Sequence, residues 1–110
     1  MNHSFLKKLD RTRTLLGFPL IVTSGYRCPD HNDSVSSTGR NGPHTTGRAV
    51  DLAVFGYQAY ALLRHVGGTP DFGGIGLKQH GAHDSRFIHL DDLEPSDGRF
   101  RPTVWTYLRQ

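Results

Sequence analysis

Pro43-His44-Thr45-Thr46-Gly47-Arg48-Ala49-Val50-Asp51-Leu52-Ala53-Val54 decides how the rest of the chain is read. Its second half is an apolar run of strand composition interrupted by one carboxylate. Its first half is polar and turn-rich, and follows Gly39, Asn41 and Gly42. A carboxylate in a buried strand is costly unless something pairs with it, and a metal cation is one such partner. Gly47 lets the backbone turn sharply between the histidine and the aspartate. A second stretch of the same kind lies downstream, Phe87-Ile88-His89-Leu90-Asp91. There His89 and Asp91 project to one face, because strand side chains alternate. Any one of these residues alone reads most simply as a satisfied polar group in a core. Together, two histidines and one carboxylate with a fourth position open form the ligand set of a catalytic zinc. The expected ligands are His44, Asp51 and His89.

Outward from this centre the chain alternates little between helix and strand. Ser4 to Leu16 reads as an amphipathic helix, with Ser4 as N-cap, Gly17 as its stop and Pro19 just beyond. Phe5, Leu6, Leu9, Leu15 and Leu16 form its apolar side, interrupted by Thr12 and Arg13. Tyr57 to Val66 reads as a second helix, with Tyr60, Leu63 and Val66 apolar and Gly67-Gly68 ending it. Arg64 and His65 lie in its last turn, where they complement the helix dipole. Strands are expected near 20–24, 48–54, 73–78 and 86–91. The fold class is therefore α+β: a small, largely antiparallel sheet with two packed helices, not a doubly wound parallel sheet. Val104-Trp105-Thr106-Tyr107-Leu108 closes the chain, with Trp105 on the core or beside the site. Gly73-Gly74-Ile75-Gly76 lacks the lysine and the following helix of a phosphate loop, and reads better as a place of close backbone approach.

A chain of 110 residues is expected to form a single domain, residues 1–110. At that size it can bury roughly 65% of its unfolded surface. Only 35% of the residues are hydrophobic and 13 are glycine, which favours a loop-rich fold over a helical bundle. A bound metal would add to its stability. The net charge of +3 suits either plain solubility or attraction to an anionic polymer. Lysine and arginine form no run long enough for a nucleic-acid patch, so no nucleic-acid partner is expected. Cys28 is the one cysteine, which excludes an internal disulfide. No apolar run reaches transmembrane length, so no membrane insertion is expected. Met1 to Lys8 lacks the apolar stretch of a signal peptide, and the expectation is a monomer made in the cytoplasm.

Ser24-Gly25-Tyr26-Arg27, then His44 to Asp51 as His-x-x-Gly-x-Ala-x-Asp, then Gly73-Gly74-Ile75-Gly76, then His89-Leu90-Asp91 resembles the M15 family of zinc D-Ala-D-Ala peptidases. That family includes phage endolysin peptidases, and hedgehog signalling domains share its fold. The resemblance runs from about Leu20 to Trp105. It implies Zn2+ as cofactor and a peptidoglycan peptide as substrate. It also implies action on the cell wall, with release from the cytoplasm through a phage holin. By the same resemblance Arg27 lies at the active site and engages a substrate carbonyl or carboxylate, a task that suits a fixed, always charged guanidinium.

Zinc lowers the pKa of a bound water to roughly 7, and a neighbouring group must then carry the proton. Several M15 members place an acid three positions before the last histidine ligand, where this chain has Arg86. Asp91, on the strand face of His89, is the first candidate to replace it. Asp84, on the preceding loop, is the second, and Glu94 is more remote. Asp91 equally suits a partner that orients a ligand or an arginine. His83 is a candidate donor to the developing oxyanion, whereas His31 reads as a structural loop residue. Two function classes remain open: a zinc-dependent peptidase of cell-wall peptides, and a non-catalytic zinc-binding module of the same fold.

Overall fold

A computed structural model describes residues 2–24, 46–96 and 98–107. Among them the order of elements is helix α1 (His3–Leu16), strands β1 (Val22–Ser24) and β2 (Ala49–Ala53), helix α2 (Gly56–Gly67), strands β3 (Gly74–Lys78), β4 (Phe87–Asp91) and β5 (Thr103–Thr106). The strands form one open sheet in the order β1-β2-β4-β3-β5. Every pairing is antiparallel except β3 with β5, which is parallel. This is the expected α+β class, with a fifth strand that the sequence did not disclose. None of the helices is long and apolar enough to cross a membrane, among the described residues.

The sheet has two unlike faces because its strands alternate. Val50 and Leu52 of β2 and Ile88 and Leu90 of β4 point to one side, where they are fully buried with Phe5 and Leu9 of α1 and Leu62 and Val66 of α2. Ile75 and Leu77 of β3 pack against the same cluster. Both helices therefore cover one face. Asp51, His89 and Asp91, one residue out of phase with the core positions, occupy the other face.

Each helix departs from its expected boundaries or stripe for a local reason. Asn2, not Ser4, caps α1: its side-chain oxygen accepts from the Phe5 N–H at 3.1 Å. Gly17 ends the helix in the left-handed region, with φ 77°. Thr12 does not interrupt the buried stripe but completes it, its hydroxyl donating to the Lys8 carbonyl at 3.0 Å. In α2 the buried residues are Ala59, Leu62 and Val66, whereas Tyr60 is 62% exposed and Leu63 37%. The inward positions go to Ala59 and Leu62, each one residue earlier on the helix.

Asp92, just past β4, ties three elements together. Arg48 grips its two oxygens at 2.8 and 2.9 Å, and Lys8 of α1 reaches Oδ2 at 2.8 Å. The Asn2 N–H also donates to the Gly47 carbonyl at 2.8 Å. These bonds fix where β2 begins, and so where Asp51 lies.

Candidate metal centre

The site is a rung across the sheet. β2 and β4 are in register so that Asp51 stands opposite His89. β3 places Gly76 opposite His89 on the other side, and β5 places Trp105 beside Gly76. The next rung runs from Ala49 through Asp91 and Gly74 to Thr103 in the same way. His89 and Asp91 thus share a face, as the alternation of β4 requires.

His89 is engaged at both ring nitrogens. Nδ1 lies 3.1 Å from Asp51 Oδ1, and Nε2 lies 2.8 Å from Asp91 Oδ2. Arg101, on the turn before β5, donates to both oxygens of Asp91, from Nε at 2.9 Å and from Nη2 at 2.8 Å. Trp105 lies against this chain of bonds, its ring 5.1 Å from that of His89 and 5.2 Å from the Arg101 guanidinium. Asp91 is fully buried, the Arg101 side chain is 8% exposed and Asp51 retains 14%. Gly76 is what lets the indole lie here, because a Cβ on Gly76 would stand 2.6 Å from Trp105 Nε1. Gly74 serves Asp91 likewise, since a Cβ there would overlap the carboxylate. The close approach expected of the Gly73 to Gly76 segment is therefore that of two side chains on neighbouring strands.

The electrostatics favour positive charge at the His89 ring. Burial alone would lower the His89 pKa, but hydrogen bonds to Asp51 and Asp91 outweigh it, so the pKa is raised. For Asp91, burial pushes the pKa up. The bonds from His89 and Arg101 outweigh that and hold it at about 2. Two carboxylates thus face one imidazole. Arg101 satisfies the charge of Asp91, and Asp51 stands on the more open side of the ring.

The donor set fits zinc. Two ligand atoms about 2.0–2.1 Å from a tetrahedral zinc stand about 3.3 Å apart, close to the 3.1 Å between His89 Nδ1 and Asp51 Oδ1. The far nitrogen of a metal-binding histidine ordinarily donates to a carboxylate, as Nε2 does to Asp91. The described residues contain no group of three or more His, Cys, Asp or Glu placed to hold a metal. The third expected ligand, His44, lies outside the described residues, as do Arg27 and His31.

The remaining candidates sit elsewhere. His83 and Asp84 lie exposed on a single 3-10 turn, His83–Ser85, and the His83 ring stacks on Phe55 at 4.7 Å. Neither belongs to the bonded chain from Asp51 to Arg101. Arg86 donates to the Gly81 carbonyl at 3.0 and 2.9 Å, closing that loop. A proton carrier facing substrate is a poor description of Asp91, which is enclosed by His89 and Arg101. Of the two roles open to it, orienting a ligand and an arginine is the one its contacts match. Arg101 was missed in the sequence. Its one signal was an arginine one residue before a proline, close to the lone tryptophan.

Residues 2–91 match the Peptidase M15 family. The chain belongs to that family. M15 peptidases are generally zinc-dependent, in keeping with the donor set of Asp51 and His89. No curated protein and no solved structure matched the chain. The M15 match ends at Asp91, so Arg101 and Trp105 reach the site from outside it.

Proposed function

We propose that this M15 chain is a zinc-dependent peptidase acting on the stem peptides of bacterial peptidoglycan, with the metal held by His44, Asp51 and His89. The observation that carries the reading is the 3.1 Å approach of His89 Nδ1 to Asp51 Oδ1, on the face of the sheet opposite α1 and α2. Zinc bound there would supply Lewis acidity that activates water at neutral pH. The chain's own residues do the rest. Asp91 holds the His89 ring, Trp105 walls one side, and Arg27 is assigned to the substrate carbonyl or carboxylate. Asp84 is the remaining carboxylate of the two first considered for proton transfer, and His83 on the same turn is assigned as oxyanion donor.

Purified peptidoglycan offers the test. New amino groups and falling turbidity are expected with added zinc, and neither with a chelator. Loss of zinc is expected in His44→Ala, Asp51→Ala and His89→Ala alike, and full occupancy in any of the three removes that residue from the ligand set. A second reading, a zinc-binding module without catalysis, is favoured by the enclosure of Asp91 between His89 and Arg101. One zinc per chain with no amine release under any condition decides for it.

A further inference from the structure

Arg101 meets the metal centre through Asp91, and its placement is tightly determined. Its Nε and Nη2 meet the two oxygens of Asp91 at 2.9 and 2.8 Å, the two-pronged geometry in which a guanidinium fixes the plane of a carboxylate. Its Nη1 donates to the Phe100 carbonyl at 2.7 Å, which fixes the third corner of the fork. The Trp105 ring lies against its remaining face. Asp91 so held has one oxygen, Oδ2, directed at His89 Nε2. Both ring nitrogens face a carboxylate, but only the acceptor of Nε2 is pinned by a guanidinium, so Nε2 keeps its proton and Nδ1, beside Asp51, is the nitrogen a metal can take.

We propose that Arg101 is a positioning residue of the metal centre: by clamping Asp91 it sets the rotation and the tautomer of His89, so that Nδ1 is the nitrogen offered to the metal. The proposal rests on the metal site described above. A lysine in its place keeps the charge but cannot hold two oxygens at once, so the carboxylate plane is freed. Asp91 then pivots, and His89 loses a fixed direction for its Nδ1 lone pair. Gly74 and Gly76 belong to the same device, since side chains there would displace the carboxylate and the indole. The device is assembled from β3, β4 and the turn before β5, and its arginine lies beyond the stretch that matches the family.

Cobalt serves as the probe, because its absorption spectrum reports ligand geometry without turnover. Wild-type chain, Arg101→Lys and Arg101→Met are titrated with Co2+ after urea unfolding has shown each variant to be folded. Loss of a partner that orients a metal ligand ordinarily weakens binding about 10- to 100-fold. The expected result is a fall of that size in Arg101→Met and a smaller one in Arg101→Lys, with a weaker and broader visible band in both. A purely structural Arg101 would lower the unfolding midpoint and leave the affinity and band of the folded protein unchanged, which overturns the proposal. Should Arg101→Met fail to fold, Arg101→Lys alone decides: wild-type affinity and spectrum in that variant overturn the proposal. Wild-type chain that binds no Co2+ brings down the metal reading itself, and the proposal with it.

Discussion

Gly74→Ala adds one methyl group and tests the whole arrangement around Asp91. In an ordinary strand this change stabilises by about 0.4–1 kcal/mol, because alanine has less freedom to lose on folding. At Gly74 the new Cβ falls on the Asp91 carboxylate. That carboxylate has nowhere to go. It is fully buried, His89 Nε2 holds one oxygen at 2.8 Å, and Arg101 holds both. Clearing the overlap means breaking the two-pronged bond, and leaving a buried pair broken costs about 3–5 kcal/mol. Less the strand benefit, the net loss is about 2–4 kcal/mol, or about 10–20 °C in Tm for a chain of this size. Gly67→Ala is the control: a Cβ there meets nothing within 4 Å, and the variant should gain up to about 1 kcal/mol. Urea unfolding followed by circular dichroism gives both values. A Gly74→Ala protein within about 0.5 kcal/mol of wild type would refute the view that His89 and Arg101 fix Asp91 in place.

Three further outcomes follow from named contacts. Asn2→Ala should cost α1 about 1 kcal/mol through loss of the cap to Phe5, read by urea midpoint, with Ser4→Ala near neutral; the reverse order would restore Ser4 as the cap. Asp91, with its pKa lowered from 3.8 to about 2, contributes stability that is present above pH 3.8 and lost as pH falls through 2. About 2 kcal/mol should disappear across that window in wild type, where His89 is protonated in folded and unfolded chain alike. Asp91→Asn should show a flatter pH dependence of its urea midpoint, and an unchanged slope would contradict the assignment. Trp105 is the chain's one tryptophan and lies 5.1 Å from His89, so saturating Co2+ should strongly quench its fluorescence while Zn2+ does not. Equal emission with both ions would place the metal elsewhere.

What the sequence disclosed was the part in which polar residues interrupt apolar strands. β2 and β4 were legible because Asp51, His89 and Asp91 stand out of phase with Val50, Leu52, Ile88 and Leu90, and the same offset put them on the face away from the helices. β5 was not legible. Thr103 to Thr106 is short, follows Pro102 and has Val104 60% exposed, so it carries no buried alternation of its own. It is recognisable as a strand only from its register with β3. The inward face of α2 was misjudged because Tyr60 and Leu63 are as apolar as the residues that replace them. A one-residue shift of helical phase, which hydropathy does not report, gives Ala59 and Leu62 the inner positions. The role of Asp91 was undecided for a related reason. Strand geometry places it beside His89, but what lies on its other side arrives ten residues later, with Arg101.

The alternation of β4 has a consequence for how faithfully the chain folds. β4 is bonded on both sides, to β2 and to β3. A slip of one residue against either neighbour would turn His89 and Asp91 toward the helices and push Ile88 and Leu90 onto the opposite face. Such a slip would strand a carboxylate in the apolar cluster and part it from its arginine, a far heavier penalty than misplacing one more leucine. The polar groups that the proposed chemistry needs therefore also proofread the pairing of the central strand. A variant emptied of them, with apolar residues at 51, 89 and 91, would retain a core yet lose the feature that tells its two faces apart.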